Sequence, residues 1–111
     1  MSGKRQPSGG GSKLREILTA AIASGADAIE LERDSDGCLE VIVLRGNSGG
    51  GFALSRSGGQ ELIESISEKM RASHRKQFRL PINGKDYMVH VKTYEHFGEN
   101  AYRLTWGEAK H

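Results

Sequence analysis

The chain has little of what marks a secreted, membrane-spanning or metal-holding protein. Only one of its 111 residues is cysteine, Cys38, so no intramolecular disulfide and no cysteine metal cluster can form. A lone thiol suits a reducing compartment, and a cytoplasmic location is the expectation. No stretch approaches the roughly 20 apolar residues needed to cross a bilayer, so no membrane insertion is expected. The first residues, MSGKRQPSGGGSK, carry basic side chains with no apolar run behind them, and no signal peptide is expected. Charge of one sign is also scarce. Sixteen basic side chains face 14 acidic ones, a formal net charge of +2. So small an excess does not by itself imply nucleic acid or an anionic membrane as partner.

Catalytic signatures are missing too. A P-loop needs GxxxxGK followed by Ser or Thr, because the lysine must reach the terminal phosphates. No Gly-Lys-Ser/Thr occurs, and there is no GxGxxG fingerprint. Gly46-Asn47-Ser48-Gly49 matches the GxxG of KH domains, but that loop joins two helices and this one follows a strand pattern. The four histidines, His74, His90, His96 and His111, include no HxxxH or HExxH pair. Cys38 beside a turn has no base that the sequence can place near it, and no GxSxG elbow marks a serine. No enzyme activity, cofactor or metal is expected.

What is present is the pattern of one small domain. A length of 111 residues supports a single modest core, and 36% hydrophobic with 27% charged residues suits a globular chain. Residues 1–11 are Ser, Gly, Lys, Arg, Gln and Pro after Met1, too polar to offset chain entropy, and are expected to be a disordered tail. The domain then spans 12–107, with 108–111 frayed. Leu14, Ile17, Leu18, Ala21 and Ile22 recur at helical spacing, with Ser12 as a cap and Gly25 as the left-handed stop. Ala28–Arg33 alternates as a strand. Asp34-Ser35-Asp36-Gly37 is turn chemistry. Leu39–Arg45 reads as a central strand, apolar on both faces. Gly46–Gly51 reads as a flexible loop. A second helix is expected from about Ser57 to Ser73, with Ser57 and Gln60 at capping-box spacing and Leu62, Ile63, Ile66 and Met70 as its buried stripe.

The last third reads as three strands. Phe78, Leu80 and Ile82 alternate, then Tyr87, Val89 and Val91, then Tyr102, Leu104 and Trp106. Asn83-Gly84 is a two-residue hairpin turn, because both positions tolerate positive φ. Phe97-Gly98-Glu99-Asn100 is a second turn. The fold class is therefore α+β, in the order αββαβββ, with two helices packed on one face of a largely antiparallel sheet. The other face is expected to carry Glu30, Glu32, Ile42, Leu44, Arg79, Met88, His90, Lys92, Tyr94 and Arg103. A slip of one residue in register would invert that list.

The order of segments resembles the domain that precedes the motor core in type II secretion and type IV pilus assembly ATPases. The family's GASDIHIEP-like strand matches Gly25-Ala26-Asp27-Ala28-Ile29-Glu30-Leu31-Glu32-Arg33. Its VRYRIDG-like strand matches Val41-Ile42-Val43-Leu44-Arg45-Gly46, and a helix follows in both. Its Gly-Arg turn and Arg-Val-Ser-Thr strand match Gly84-Lys85 and His90-Val91-Lys92-Thr93. A Gly-Glu turn and an arginine strand match Gly98-Glu99 and Arg103. The resemblance covers residues 13–107 and rests on order and spacing rather than on one specific motif.

The resemblance implies that arginines here approach nucleotide held by the motor domain. In this chain those positions are Ile42, Leu44 and His90, and only Arg103 keeps its type. Ala28 and Glu30 stand where the family has Asp and His, and the Walker motifs are absent. The resemblance thus implies the fold without ATP hydrolysis. It leads to a non-catalytic interaction domain that binds a secretion or pilus component, or itself, with Ile42, Leu44, Met88, His90, Lys92, Tyr94 and Arg103 as the candidate protein-binding surface. One alternative is a nucleic-acid-binding module using Arg71, His74, Arg75, Lys76 and Arg79, although cations at a helix C-terminus also answer its dipole. Another is a nucleotide-sensing remnant in which Arg103 and His90 contact phosphate.

Overall fold

The computed structural model describes residues 9–96 and 98–109, with the side chains of 9–12 left aside. Helix α1 spans Gly9–Ala23, and strands β1 (Ala28–Arg33), β2 (Leu39–Arg45) and β3 (Ser48–Ala53) follow. Helix α2 covers Arg56–Ser73, before β4 (Gln77–Ile82), β5 (Lys85–His96) and β6 (Glu99–Glu108). The six strands form one antiparallel sheet in the order β3-β2-β1-β6-β5-β4. This is the expected α+β fold with one strand more than expected.

The extra strand is β3. The Gly46–Gly51 stretch is not a loop beyond Asn47, because Arg45 pairs with Ser48 and the ladder runs on to Glu40 and Ala53. Gly46 has φ 58° while Asn47 does not have positive φ, the pattern of a II′ hairpin turn. Three consecutive glycines have poor strand propensity, and it is the ladder with β2 and the packing of Leu54 against the core that hold them extended.

Helix boundaries also differ from expectation. Helix α1 starts at Gly9, so Ser12 lies inside its first turn rather than capping it. Of the tail expected at 1–11, residues 9–11 are helical, and of the frayed end expected at 108–111, Glu108 closes β6 and the Ala109 N–H donates to the Asp86 carbonyl; residues 1–8 and 110–111 lie outside the described residues. The cap of α2 is Ser55, not Ser57: its Oγ accepts from the Gly58 N–H at 3.1 Å, while Gln60 Nε2 donates to Glu64. Gly25, at φ 81°, ends α1 as expected, and Ala26 N–H closes the turn onto the Ala21 carbonyl.

One core lies between the helices and the sheet. Leu14, Ile17, Leu18 and Ala21 of α1 and Leu62 and Ile66 of α2 are buried against Ile29, Leu31, Leu39, Val41, Phe78, Leu80, Val89, Val91 and Leu104. Ile63 and Met70, the rest of the expected α2 stripe, are half-buried at its margin. Gly59 lets α2 approach the sheet: a Cβ there would stand 2.8 Å from Leu39 Cβ. The Asn83-Gly84 turn has φ 51° and 81°, as a I′ hairpin requires. No helix among the described residues is long and apolar enough to cross a membrane.

Candidate functional site

Alternation along the strands puts every second residue on the sheet face away from the helices. Helix-facing Leu31, Val41, Val89 and Leu104 fix the register, so Ile42, Leu44, Met88, His90, Lys92, Tyr94 and Arg103 all fall on the bare face. Cross-strand pairing arranges them in rows. Ile42, Glu30, Arg103 and Lys92 stand side by side across β2, β1, β6 and β5. Leu44, Ala28, Thr105 and His90 form the next row.

Two of the seven candidates are held by acidic neighbours. Arg103 donates to Glu30 Oε2 at 2.6 Å, a pairing of directly opposed residues. The Tyr94 hydroxyl donates to Glu32 Oε2 at 2.8 Å, and His96 Nε2 lies 3.4 Å from Oε1 of the same carboxylate. Burial first, then the Glu32 hydrogen bond and the charges of Glu30 and Glu32, push the Tyr94 phenol well above its usual range, with Arg103 opposing. The guanidinium that the nucleotide-sensing reading needs is therefore already engaged by a carboxylate. Glu30, Glu32 and His96, which organise this end of the face, were not among the candidate site residues. The signal for them was the Glu30/Glu32 alternation opposite an arginine and a tyrosine.

The remaining candidates are less tied. Ile42 and Leu44 are half-buried and lean towards the glycines of β3: a Cβ on Gly49 would lie 3.2 Å from Leu44 Cδ2, and one on Gly51 3.6 Å from Ile42 Cγ1. Met88 is half-buried, and His90 and Lys92 are exposed on β5. The apolar pair thus borders a strand that offers little beyond backbone on this face.

The basic cluster does not converge in the same way. Arg71 lies on α2 beside Glu64, Ser67 and Glu68, around a shallow depression on the outer side of the helix. Arg79 lies on the bare sheet face and pairs with Asp86 at 3.6 Å. His74 is the left-handed cap of α2, at φ 59°, and Arg75 and Lys76 follow it exposed, with no ion pair to a described residue. Among the described residues, no group of three His, Cys, Asp or Glu side chains is placed to hold a metal. Cys38 is a half-buried free thiol in the β1–β2 turn, where its N–H donates to Asp34 Oδ1.

A scan against protein-family models gives no match, and a search of curated proteins gives no significant relative.

Proposed function

We propose that this chain is a non-catalytic protein-interaction domain that docks a protein partner through the sheet face its helices leave bare. The observation that carries this reading is the placement of Ile42 and Leu44. Both apolar side chains sit on the face opposite the helices, beside a glycine strand, where charged residues would normally meet water. The resemblance to the domain before a secretion or pilus ATPase motor places arginines at these two positions, and their replacement favours contact with protein over contact with nucleotide. A secretion or pilus component in the cytoplasm is the partner that this resemblance implies.

The test uses the purified chain immobilised and exposed to extract of its native host. Ile42→Arg/Leu44→Arg restores the family's charge pattern without touching the core, because long cationic side chains keep their heads in water. A protein retained by the wild type and lost by this variant, with unchanged circular dichroism, supports the reading. Equal retention by both overturns it.

A further inference from the structure

The two edges of the sheet are treated differently. Antiparallel pairing points the N–H and C=O of alternate residues away from the sheet. On β4 those residues are Gln77, Arg79 and Pro81. The Gln77 carbonyl accepts from Ser73 Oγ at 2.7 Å, Pro81 has no N–H, and its carbonyl accepts from Arg15 Nε at 3.2 Å. That edge is blunted in the usual ways. On β3 the outward groups belong to Gly49, Gly51 and Ala53, because the Leu54 N–H donates inward to Leu39 and the ladder alternates from there. No described residue donates to or accepts from them, and all of β3 is exposed.

The same strand carries a projection and a matching gap on its helix side. Phe52 is the one large apolar side chain that is exposed among the described residues, at 48%. Two residues away, Gly50 has open space where its side chain would be. That space belongs to a depression of about 330 Å³ that Val43, Ser48, Gly50 and Phe52 help to line.

We infer that β3 pairs with β3 of a second copy of this chain, antiparallel about a two-fold axis at Gly51, so that each Phe52 fills the gap over Gly50 and Val43 of the other. In that register Gly51 faces Gly51, and Gly49 faces Ala53, so outward backbone groups meet outward backbone groups. Phe52 then faces Gly50, and the two rings are diagonal neighbours at roughly 7–8 Å, within aromatic reach. An aromatic side chain over a cross-strand glycine is an arrangement that stabilises glycine-rich edges. Ser48–Ala53 carries no charge, so the pairing sets no like charges opposite each other. A partner of unrelated sequence would use the same edge, but the projection and the gap lie on one strand at the spacing that self-pairing requires. So short an interface falls below the ~1,600 Å² of a stable complex, and the dimer is therefore weak and concentration-dependent.

Sedimentation velocity of the full chain, from about 10 µM to about 1 mM, reads this directly. The expected result is a shift from monomer towards dimer across that range. Gly50→Leu fills the gap from within and adds a side chain where none is hindered, so the fold is kept. Phe52→Lys removes the projection. Each is expected to weaken association at least about tenfold. A chain that stays monomeric at about 1 mM, or a dimer that both substitutions leave intact, overturns the inference. Neither substitution alters a side chain of the bare sheet face, so loss of the dimer and loss of the proposed partner are read separately.

Discussion

The hydroxyl of Tyr94 on β5 reaches Glu32 on β1 across the intervening strand β6, and beneath that bond Ala101 is wholly inaccessible although no helix covers it. Tyr94 and Ala101 are directly paired, so the small alanine side chain lies on the strand that the phenol reaches across. The hydrogen bond gives the phenol a partner and gives Glu32 a neutral donor. Tyr94→Phe keeps the ring and removes the donor. Denaturant unfolding should show a loss of about 1.5–3 kcal/mol, the range for a hydrogen bond to a charged acceptor. A loss below measurement error would mean that water replaces the hydroxyl without cost.

The same phenol gives a pH dependence with a definite sign. Its folded pKa is raised above the ordinary tyrosine value, so the native state holds the proton more tightly than the unfolded chain. The stability this contributes is complete below about pH 10 and declines as pH rises from there towards the folded pKa. In an ultraviolet titration of the three tyrosines, one should ionise last, and Tyr94→Phe should remove that step. Three phenols titrating together would contradict the burial and hydrogen bonding seen here.

Arg103 and Glu30 face each other on β6 and β1, with the arginine side chain 42% and the glutamate side chain 23% exposed. At that exposure the pair is worth little: a double-mutant cycle with Arg103→Met and Glu30→Gln should give a coupling of about 0.5–1 kcal/mol. The coupling should shrink in high salt, as screening of a half-exposed pair requires. Coupling that is insensitive to salt would point to a geometric rather than electrostatic role.

Gly59 is the fourth residue of α2, in a turn where alanine normally adds helix stability. Here Gly59→Ala should instead destabilise by about 1–3 kcal/mol, because its Cβ would meet Leu39 Cβ at 2.8 Å and force α2 off the sheet. A thermal melt at unchanged or higher temperature would show that the helix shifts freely.

The sequence made the faces of the sheet legible and left one of its edges hidden. Alternation in Leu39–Arg45, Phe78–Ile82, Tyr87–Val91 and Tyr102–Trp106, with the Asn83-Gly84 turn, puts the seven candidates on the sheet face away from the helices, as the strand pairing does. Strand β3 was missed because periodicity needs side chains, and Ser48–Ala53 offers three glycines and one aromatic. The available signal was Gly46-Asn47, a dipeptide suited to a II′ hairpin, between β2 and the phenylalanine. The cap at Ser55 was missed for a related reason: Ser55 and Ser57 both have the chemistry, and only the backbone reveals which one is extended, at φ −61° and ψ 164°. The acidic anchors Glu30 and Glu32 were placed on the right face, but a pairing across strands far apart in sequence is not written in local pattern.

The seam between β1 and β6 has a further consequence, for how the chain folds. Every other strand pair joins consecutive strands, so each half of the sheet can zip from its own hairpins. The seam alone must bring together strands separated by most of the chain, with Glu30 and Arg103 73 positions apart. Such non-local pairing is what slows folding, although the entropy of closing a longer loop grows only gently. Arg103 with Glu30, and Tyr94 and His96 with Glu32, reach across this seam, so where its pairing limits folding their loss should fall mainly on the refolding rate.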